Sequence, residues 1–412
     1  MGLKKVEKQF REVCNAAGLE VNGYNDRDPQ IENPSEFYRA FAKNPYLALG
    51  EAFAAEHLDV EDLEGMVMAF VKAQMKGALP DFSFKQKVNL ISYFRSRRIL
   101  NPQKKGSKDI GKSHYDVGND LISAMTGRLG KYTSGYWPSG LDGFDLNKAQ
   151  ELDVKIICER LGLKEGMHVL DIGFGLGKIS RYMIENYGVF VTGLTVSEEQ
   201  RKLAKKHCKD ISGRYNFILS SWDDMIPEQF DRIVSIEMIE HVGPNNYSDF
   251  FEFIYNSLTE NGSALIQAIN SSYGTYANNP FIDKYIFRYG VTPKVDWMIG
   301  AAVDAGLRLR LLDNSLGEAY SETLNAWWVN SQHALKSLND QYRDHFKDIF
   351  PHETNDNTFS RIWQFYLLSC AAGFRSGLLQ DGHFVFEKNP KNVSKQDIYI
   401  PRTRAEINSY LR

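Results

Sequence analysis

Two segments of this 412-residue chain carry side chains at spacings that chemistry uses. The first is Met167-His-Val-Leu-Asp-Ile-Gly-Phe-Gly-Leu-Gly-Lys178, where an apolar run enters Gly173, Gly175 and Gly177 at every second position. Glycine belongs where a backbone turns sharply and meets a ligand with no Cβ in the way. The spacing GxGxG, with Asp171 two residues ahead of it, departs from the dinucleotide pattern GxGxxG. The acid that holds a ribose about 20 residues further on is also missing. Its place is taken by Thr195-Val-Ser-Glu-Glu-Gln200. The second segment is Glu240-His241, just past the apolar run Arg232–Ile236. A carboxyl beside an imidazole suits proton transfer or the holding of a small ion, and an acid here also suits a structural or cofactor-side role.

Such residues need a frame. From about residue 148, short apolar runs at 168–174, 189–194, 217–220, 232–236 and 264–269 alternate with helical stretches. That alternation predicts an α/β fold, a parallel, doubly wound, Rossmann-like sheet with helices on both faces. Residues 272–380 are rich in aromatics and predict an inserted helical cap, His383–Phe386 a closing edge strand, and 389–412 a polar tail. Residues 1–100 predict a small helical domain, with a helix starting after Asn33-Pro34 and apolar residues at three- and four-residue steps through 46–79. A basic linker covers 101–115, and the main domain spans 116–388.

Composition removes several classes. Lys plus Arg, 49, against Asp plus Glu, 52, leaves a net charge of −3, too neutral for a broad nucleic-acid face. No run approaches the roughly 18 apolar residues of a membrane span, and the N-terminus has no apolar signal core. The four cysteines lie far apart with no CxxC pair, so neither a zinc site nor another metal site is predicted, and a reduced, cytoplasmic setting fits.

The glycine loop and the Thr-x-Ser-x-x-Gln turn, together with further stretches, resemble the cyclopropane fatty acid synthase family, which includes the mycolic acid cyclopropane synthases. The other matching stretches are Gly111–Asp120 (GKSHYDVGND), Tyr132–Trp137 (YTSGYW), Phe230–Gly243, Asn279–Phe287 and Cys370–Arg375. They run in order along most of the chain, and the helical N-terminal part is similar to that of the bacterial enzymes acting on phospholipids. The resemblance implies an S-adenosylmethionine-dependent methyltransferase that converts a cis double bond of a phospholipid acyl chain into a cyclopropane. It implies that Asp171, Gly173, Gly175 and Gly177 hold the methionine part, Thr195 and Gln200 the ribose, and Trp222 and Asp223 the adenine, with Tyr132 and Thr133 against the cofactor. Tyr115, Tyr285 and Phe374 are the implied substrate contacts. Further implications are a homodimer, an N-terminal domain that contacts lipid, and peripheral attachment to an anionic inner membrane face, to which the basic linker would contribute.

The family holds a bicarbonate ion as base, and here the resemblance breaks. Glu240, with His241 after it, is kept, but Ser134 stands for a Cys, Gln267 for a His, and Trp328 for the cap Tyr. In the glycine loop Phe174 and Leu176 replace Cys and Trp. Two outcomes stay open: bicarbonate still held through Glu240, Gln267 and backbone, giving a cyclopropane, or a lost anion and a methyl-branched, methylene or hydroxylated chain. A small-amine N-methyltransferase and a lipid-binding protein without chemistry are the rival readings.

Overall fold

The computed structural model describes residues 2–81, 86, 89, 91–93, 95, 119–138, 144–274, 278–342 and 356–389. Tyr115, most of the 111–120 motif, the linker beyond Arg95 and the tail from 390 lie outside the described residues. In chain order the elements begin α1 (Leu3–Ala16), β1 (Gln30–Ile31), α2 (Pro34–Lys43), α3 (Pro45–Ala54), β2 (Leu58–Asp59), α4 (Leu63–Met75) and α5 (Asn119–Met125). They continue with α6 (Leu146–Leu161), β3 (His168–Ile172), α7 (Lys178–Tyr187), β4 (Phe190–Thr195), α8 (Glu198–His207), β5 (Tyr215–Leu219), β6 (Phe230–Ile236), α9 (Ile239–Val242) and α10 (Tyr247–Ser257). The last are β7 (Leu258–Asn270), α11 (Pro280–Tyr285), α12 (Val295–Asp304), β8 (Arg308–Asp313), α13 (Gly317–Tyr342), α14 (Thr358–Arg375) and β9 (Gln380–Glu387). They group into two compact units, one of residues 1–100, 277–289 and 324–379, the other of 101–276, 290–323 and 380–412.

In the first unit, helix starts follow local chemistry. Asn33, Asn44 and Asp62 each accept a first-turn N–H, from Glu36, Leu47 and Gly65. Pro34 and Pro45 fill a first helical position, whose N–H needs no partner. The 46–79 stretch is two helices, because Glu56 takes φ +60° and the chain then pairs β2 with β1 antiparallel. Edge-on aromatic contacts, Phe10 with Phe37 at 4.7 Å and Phe281 with Phe365 at 4.8 Å, fill its core.

The second unit is built on a seven-stranded sheet in the order β5-β4-β3-β6-β7-β9-β8. Strands β3 to β7 are parallel, and β9 runs antiparallel between β7 and β8. Alternate residues serve opposite faces, as strand geometry requires. Leu170, Ile233, Ile266 and Phe384 join Phe250 and Ile254 of α10, while Val169, Val234, Leu265 and Val385 join Ile157 and Leu161 of α6. The stretch read as a helical cap carries β8, so β9 is an interior strand and not the edge expected for His383–Phe386. Its four residues His383 to Phe386 are almost fully buried, which suits a strand covered on both sides. Because β4 and β6 flank β3 on opposite sides, the chain reverses winding at β3, and ligands of such sheets bind beyond the carboxyl ends at that point.

Candidate active site

The glycine loop follows β3 at this switch point, and its three glycines have different jobs. All take positive φ, +89°, +55° and +72° for Gly173, Gly175 and Gly177, where a Cβ is costly. A Cβ on Gly177 would lie 2.6 Å from Ala204, so this glycine lets α7 approach α8. A Cβ on Gly175 meets nothing within 4 Å, leaving that stretch of backbone open. A Cβ on Gly173 would meet Met238 at 3.1 Å, which brings the Glu237–Glu240 turn against the loop. Phe174 is accounted for by packing: it stacks on Phe217 at 4.5 Å, in space that Gly193 leaves clear.

The polar residues on this side are internally bonded. Buried Asp171 accepts from the Ser180 hydroxyl at 2.6 Å, and burial pushes its carboxyl up to about 6. Thr195 donates to Gln200 at 2.9 Å and accepts from the Ser197 N–H, while the Ser197 hydroxyl caps α8. The Thr-x-Ser-x-x-Gln segment is thus a self-tied turn at the end of β4. Trp222 and Asp223 lie on one turn of 3-10 helix after β5, with Trp222 edge-on to Phe250 at 5.2 Å. An open glycine cradle and a hydroxyl–amide turn at the switch point fit a nucleoside cofactor carrying an amino-acid tail.

The other side collects acids. Glu237, in the left-handed region at φ +50°, accepts from Thr133 at 2.9 Å. Buried Glu240 accepts the Ile269 N–H at 2.7 Å through one oxygen, and its Oε2 is buried without a hydrogen-bond partner among the described residues. Gln267, fully buried on β7, donates its amide N–H to Asp381 on β9 at 2.9 Å. Burial is the leading cause that raises all three carboxyls: Glu240 to about 8, Asp381 to about 7, and Glu237 well above the carboxylate range. Mutual repulsion adds to this. His241, whose imidazole burial drives down to about 4, is neutral near pH 7. Below the acids, fully buried Lys131 pairs with Asp153 at 2.6 Å and donates to the Ser134 carbonyl. The Ser134 hydroxyl is spent on the Gly135 carbonyl.

Four members of this pocket escape the sequence reading: Lys131, Glu237, Tyr320 and Asp381. Tyr320 interacts electrostatically with Glu237, Glu240, Asp381 and Tyr132. Trp328, read as the residue at the cap tyrosine position, is half-buried in the part of α13 that belongs to the first unit. Helical spacing held the signal, since Leu316, Tyr320, Leu324 and Trp327 are buried at four-, four- and three-residue steps and Trp328 is off that face. Tyr285 and Phe374 also belong to the first unit, the former donating to Glu51 at 2.7 Å and the latter buried.

The Ile269 N–H and one of the two Gln267 amide N–H groups are engaged by carboxyls of the chain, Glu240 and Asp381.

A family model described as mycolic acid cyclopropane synthetase matches residues 102–384. The chain is 34% identical over 382 residues to cyclopropane-fatty-acyl-phospholipid synthase of Escherichia coli (strain K12), covering 92% of this chain and 93% of that one. Among solved structures, mycolic acid cyclopropane synthase CmaA1 complexed with SAH and CTAB aligns with TM-score 0.57 and 25% identity, over 68% of this chain and 98% of that one. Coclaurine N-methyltransferase bound to N-methylheliamine and SAH aligns with TM-score 0.63 over 82% of this chain and 99% of that one, at 17% identity, a likeness of fold alone.

Proposed function

The chain belongs to the mycolic acid cyclopropane synthetase family and is an S-adenosylmethionine-dependent methyltransferase, and from that premise we propose that it converts cis-unsaturated acyl chains of phospholipids into cyclopropanes. The observation that supports the reading is that Met238, between Glu237 and the buried Glu240, lies where a Cβ added at Gly173 would meet it at 3.1 Å. A methyl donor on one side and a base on the other are what ring formation requires.

When bound, S-adenosylmethionine supplies an electrophilic methyl group on a sulfonium. The backbone of Gly173–Gly177 and Asp171 would hold its amino-acid end, the Thr195–Gln200 turn its ribose, Trp222 and Asp223 its adenine, with Tyr132 and Thr133 also against it. The buried acids would favour the cationic carbon that forms on the acyl chain, and ring closure requires that water, which would trap it as an alcohol, be kept away. Tyr320, rather than Trp328, supplies the phenol of the pocket. Tyr115, Tyr285 and Phe374 belong to the acyl path in this reading.

Among the described residues no helix is long and apolar enough to cross a membrane. In this reading the enzyme meets its substrate at an anionic inner membrane face, as a homodimer, with its basic segment giving about 1 kcal/mol per positive residue. The test is the fatty-acid profile of cells rich in cis-monounsaturated lipid, with and without the protein. The expected product is heavier by one CH2, lacks a double bond and shows cyclopropane protons by NMR. A methylated chain that keeps its double bond or gains a hydroxyl refutes ring closure, and an unchanged profile refutes the lipid substrate.

A further inference from the structure

We infer that Lys131 is a positioning residue for the cofactor. Its ammonium, held between Asp153 and the Ser134 carbonyl, fixes the short span that carries Tyr132 and Thr133, so a charge pair sealed inside the protein sets how tightly the cofactor binds. The inference rests on the proposed reading that Tyr132 and Thr133 lie against S-adenosylmethionine.

Residues 128–133 run beside the glycine loop and meet its surroundings at two places, all within the second unit. At one, Lys178, the first residue of α7, donates to the Arg128 carbonyl at 2.8 Å, and a Cβ on Gly130 would meet Lys178 Nζ at 3.2 Å and Leu176 at 3.3 Å. At the other, Thr133 donates to Glu237 at 2.9 Å, and the next residue, Met238, is the one that a Cβ on Gly173 would meet. Lys131 and Tyr132 stand between these two contacts.

Helix α6 holds the middle of this span. Lys131 Nζ lies 2.6 Å from Asp153 Oδ2, with both side chains at zero exposure, and it donates to the Ser134 carbonyl. Gln150 donates its amide N–H to the Lys131 carbonyl at 2.8 Å, so α6 grips residue 131 by its backbone and by its side chain. Further on, the Tyr136 N–H donates to the Ala149 carbonyl at 2.9 Å, and a Cβ on Gly135 would lie 2.7 Å from the Ala149 Cβ. The Gly135 N–H and the Trp137 indole N–H both donate to the Thr323 hydroxyl oxygen, at 2.9 and 2.8 Å. Tyr132 and Thr133 are thus a short stretch between fixed points, which is how a binding segment is preorganised.

Stability alone does not account for burying this charge. Taking an ammonium and a carboxylate out of water is costly, and an apolar pair of similar volume often leaves a fold equally stable or more so. An apolar side chain at 131 would fill the space, but it has no N–H for the Ser134 carbonyl. That bond closes the stretch from 131 to 134, which contains Tyr132 and Thr133, and Asp153 keeps the ammonium in place to make it.

The experiment measures S-adenosylhomocysteine binding by calorimetry and denaturant unfolding on the full chain. Lys131→Met alone strands Asp153, so the test variant combines Lys131→Met with Asp153→Leu and removes both charges. Its unfolding midpoint should stay near or above that of the wild type, while the dissociation constant rises about 10-fold or more. KM for S-adenosylmethionine should rise with it, and kcat at saturating cofactor should change less. A second pair anchored on α6, Arg160 with Asp313 at 2.6 Å, serves as the control. Arg160→Met with Asp313→Leu should leave the dissociation constant unchanged. A variant at 131 and 153 that does not fold or that binds like the wild type, or equal losses from both pairs, overturns the inference. Tyr132→Ala tests the reading beneath it: weaker binding supports that reading, and unchanged binding overturns it together with the inference.

Discussion

The glycine loop and the acid pocket share the carboxyl end of one sheet, yet they satisfy their polar groups in different ways. On the cofactor side Asp171 is met by Ser180, Thr195 by Gln200, and the α8 start by Ser197. On the acid side three carboxyls crowd together, and Asp381 and Gln267 each keep a buried oxygen without a donor. The first arrangement is preorganised for binding, since its geometry exists before any ligand arrives. The second is poised for proton transfer, because burial and mutual repulsion bring carboxyls into the neutral pH range.

Substitutions on each side test this contrast. The largest effect is expected from Lys131→Met, which strands Asp153 as an unpaired buried carboxyl and should cost about 3–5 kcal/mol, read by denaturant unfolding. Glu240→Gln should lower the methyl-transfer rate about 100-fold and leave cofactor affinity nearly intact; equal losses in both would erase the distinction between the two sides. Gly177→Ala forces a Cβ against Ala204 and a residue into positive φ, for about 2 kcal/mol in unfolding free energy.

A smaller signal lies in pH. Glu240 and Asp381 have folded-state values raised above the unfolded ones, so their neutral forms favour the fold. Stability should therefore be greatest below about pH 4 to 5 as far as these groups contribute, and fall as pH rises through 7 to 8. Glu240→Gln should flatten the decline between pH 6 and 9 by about 1 kcal/mol, and an unchanged slope in thermal melts would show that Glu240 is not the titrating group. The mildest change is Thr195→Val, which removes one hydroxyl from the self-tied turn and should weaken cofactor binding by under about 1 kcal/mol with no shift in the pH–rate profile.

Legibility in the sequence follows the range of the interactions. The strands at 168–174 and 189–194 and the helix start at Asn33 were readable because apolar alternation and capping act within a few residues. The glycine loop was readable for the same reason, although spacing alone does not separate the open Gly175 from the packing Gly177. β8 was hidden in an aromatic stretch, and it turned the expected edge strand β9 into an interior one. Trp328, read at the cap tyrosine position, lies off the buried face of α13 that helical spacing marks at Leu316, Tyr320, Leu324 and Trp327.

By itself the sequence determined the five parallel strands, the cofactor loop and the family, since each rests on short-range pattern or on ordered motifs. Only the tertiary structure decided the acid pocket. Lys131, Glu237, Gln267, Tyr320 and Asp381 are dispersed along the chain, and the placing of β9 between β7 and β8 puts Asp381 against Gln267. Burial then sets their chemistry, because a carboxyl's proton affinity depends on the water and charges that the fold removes or brings near.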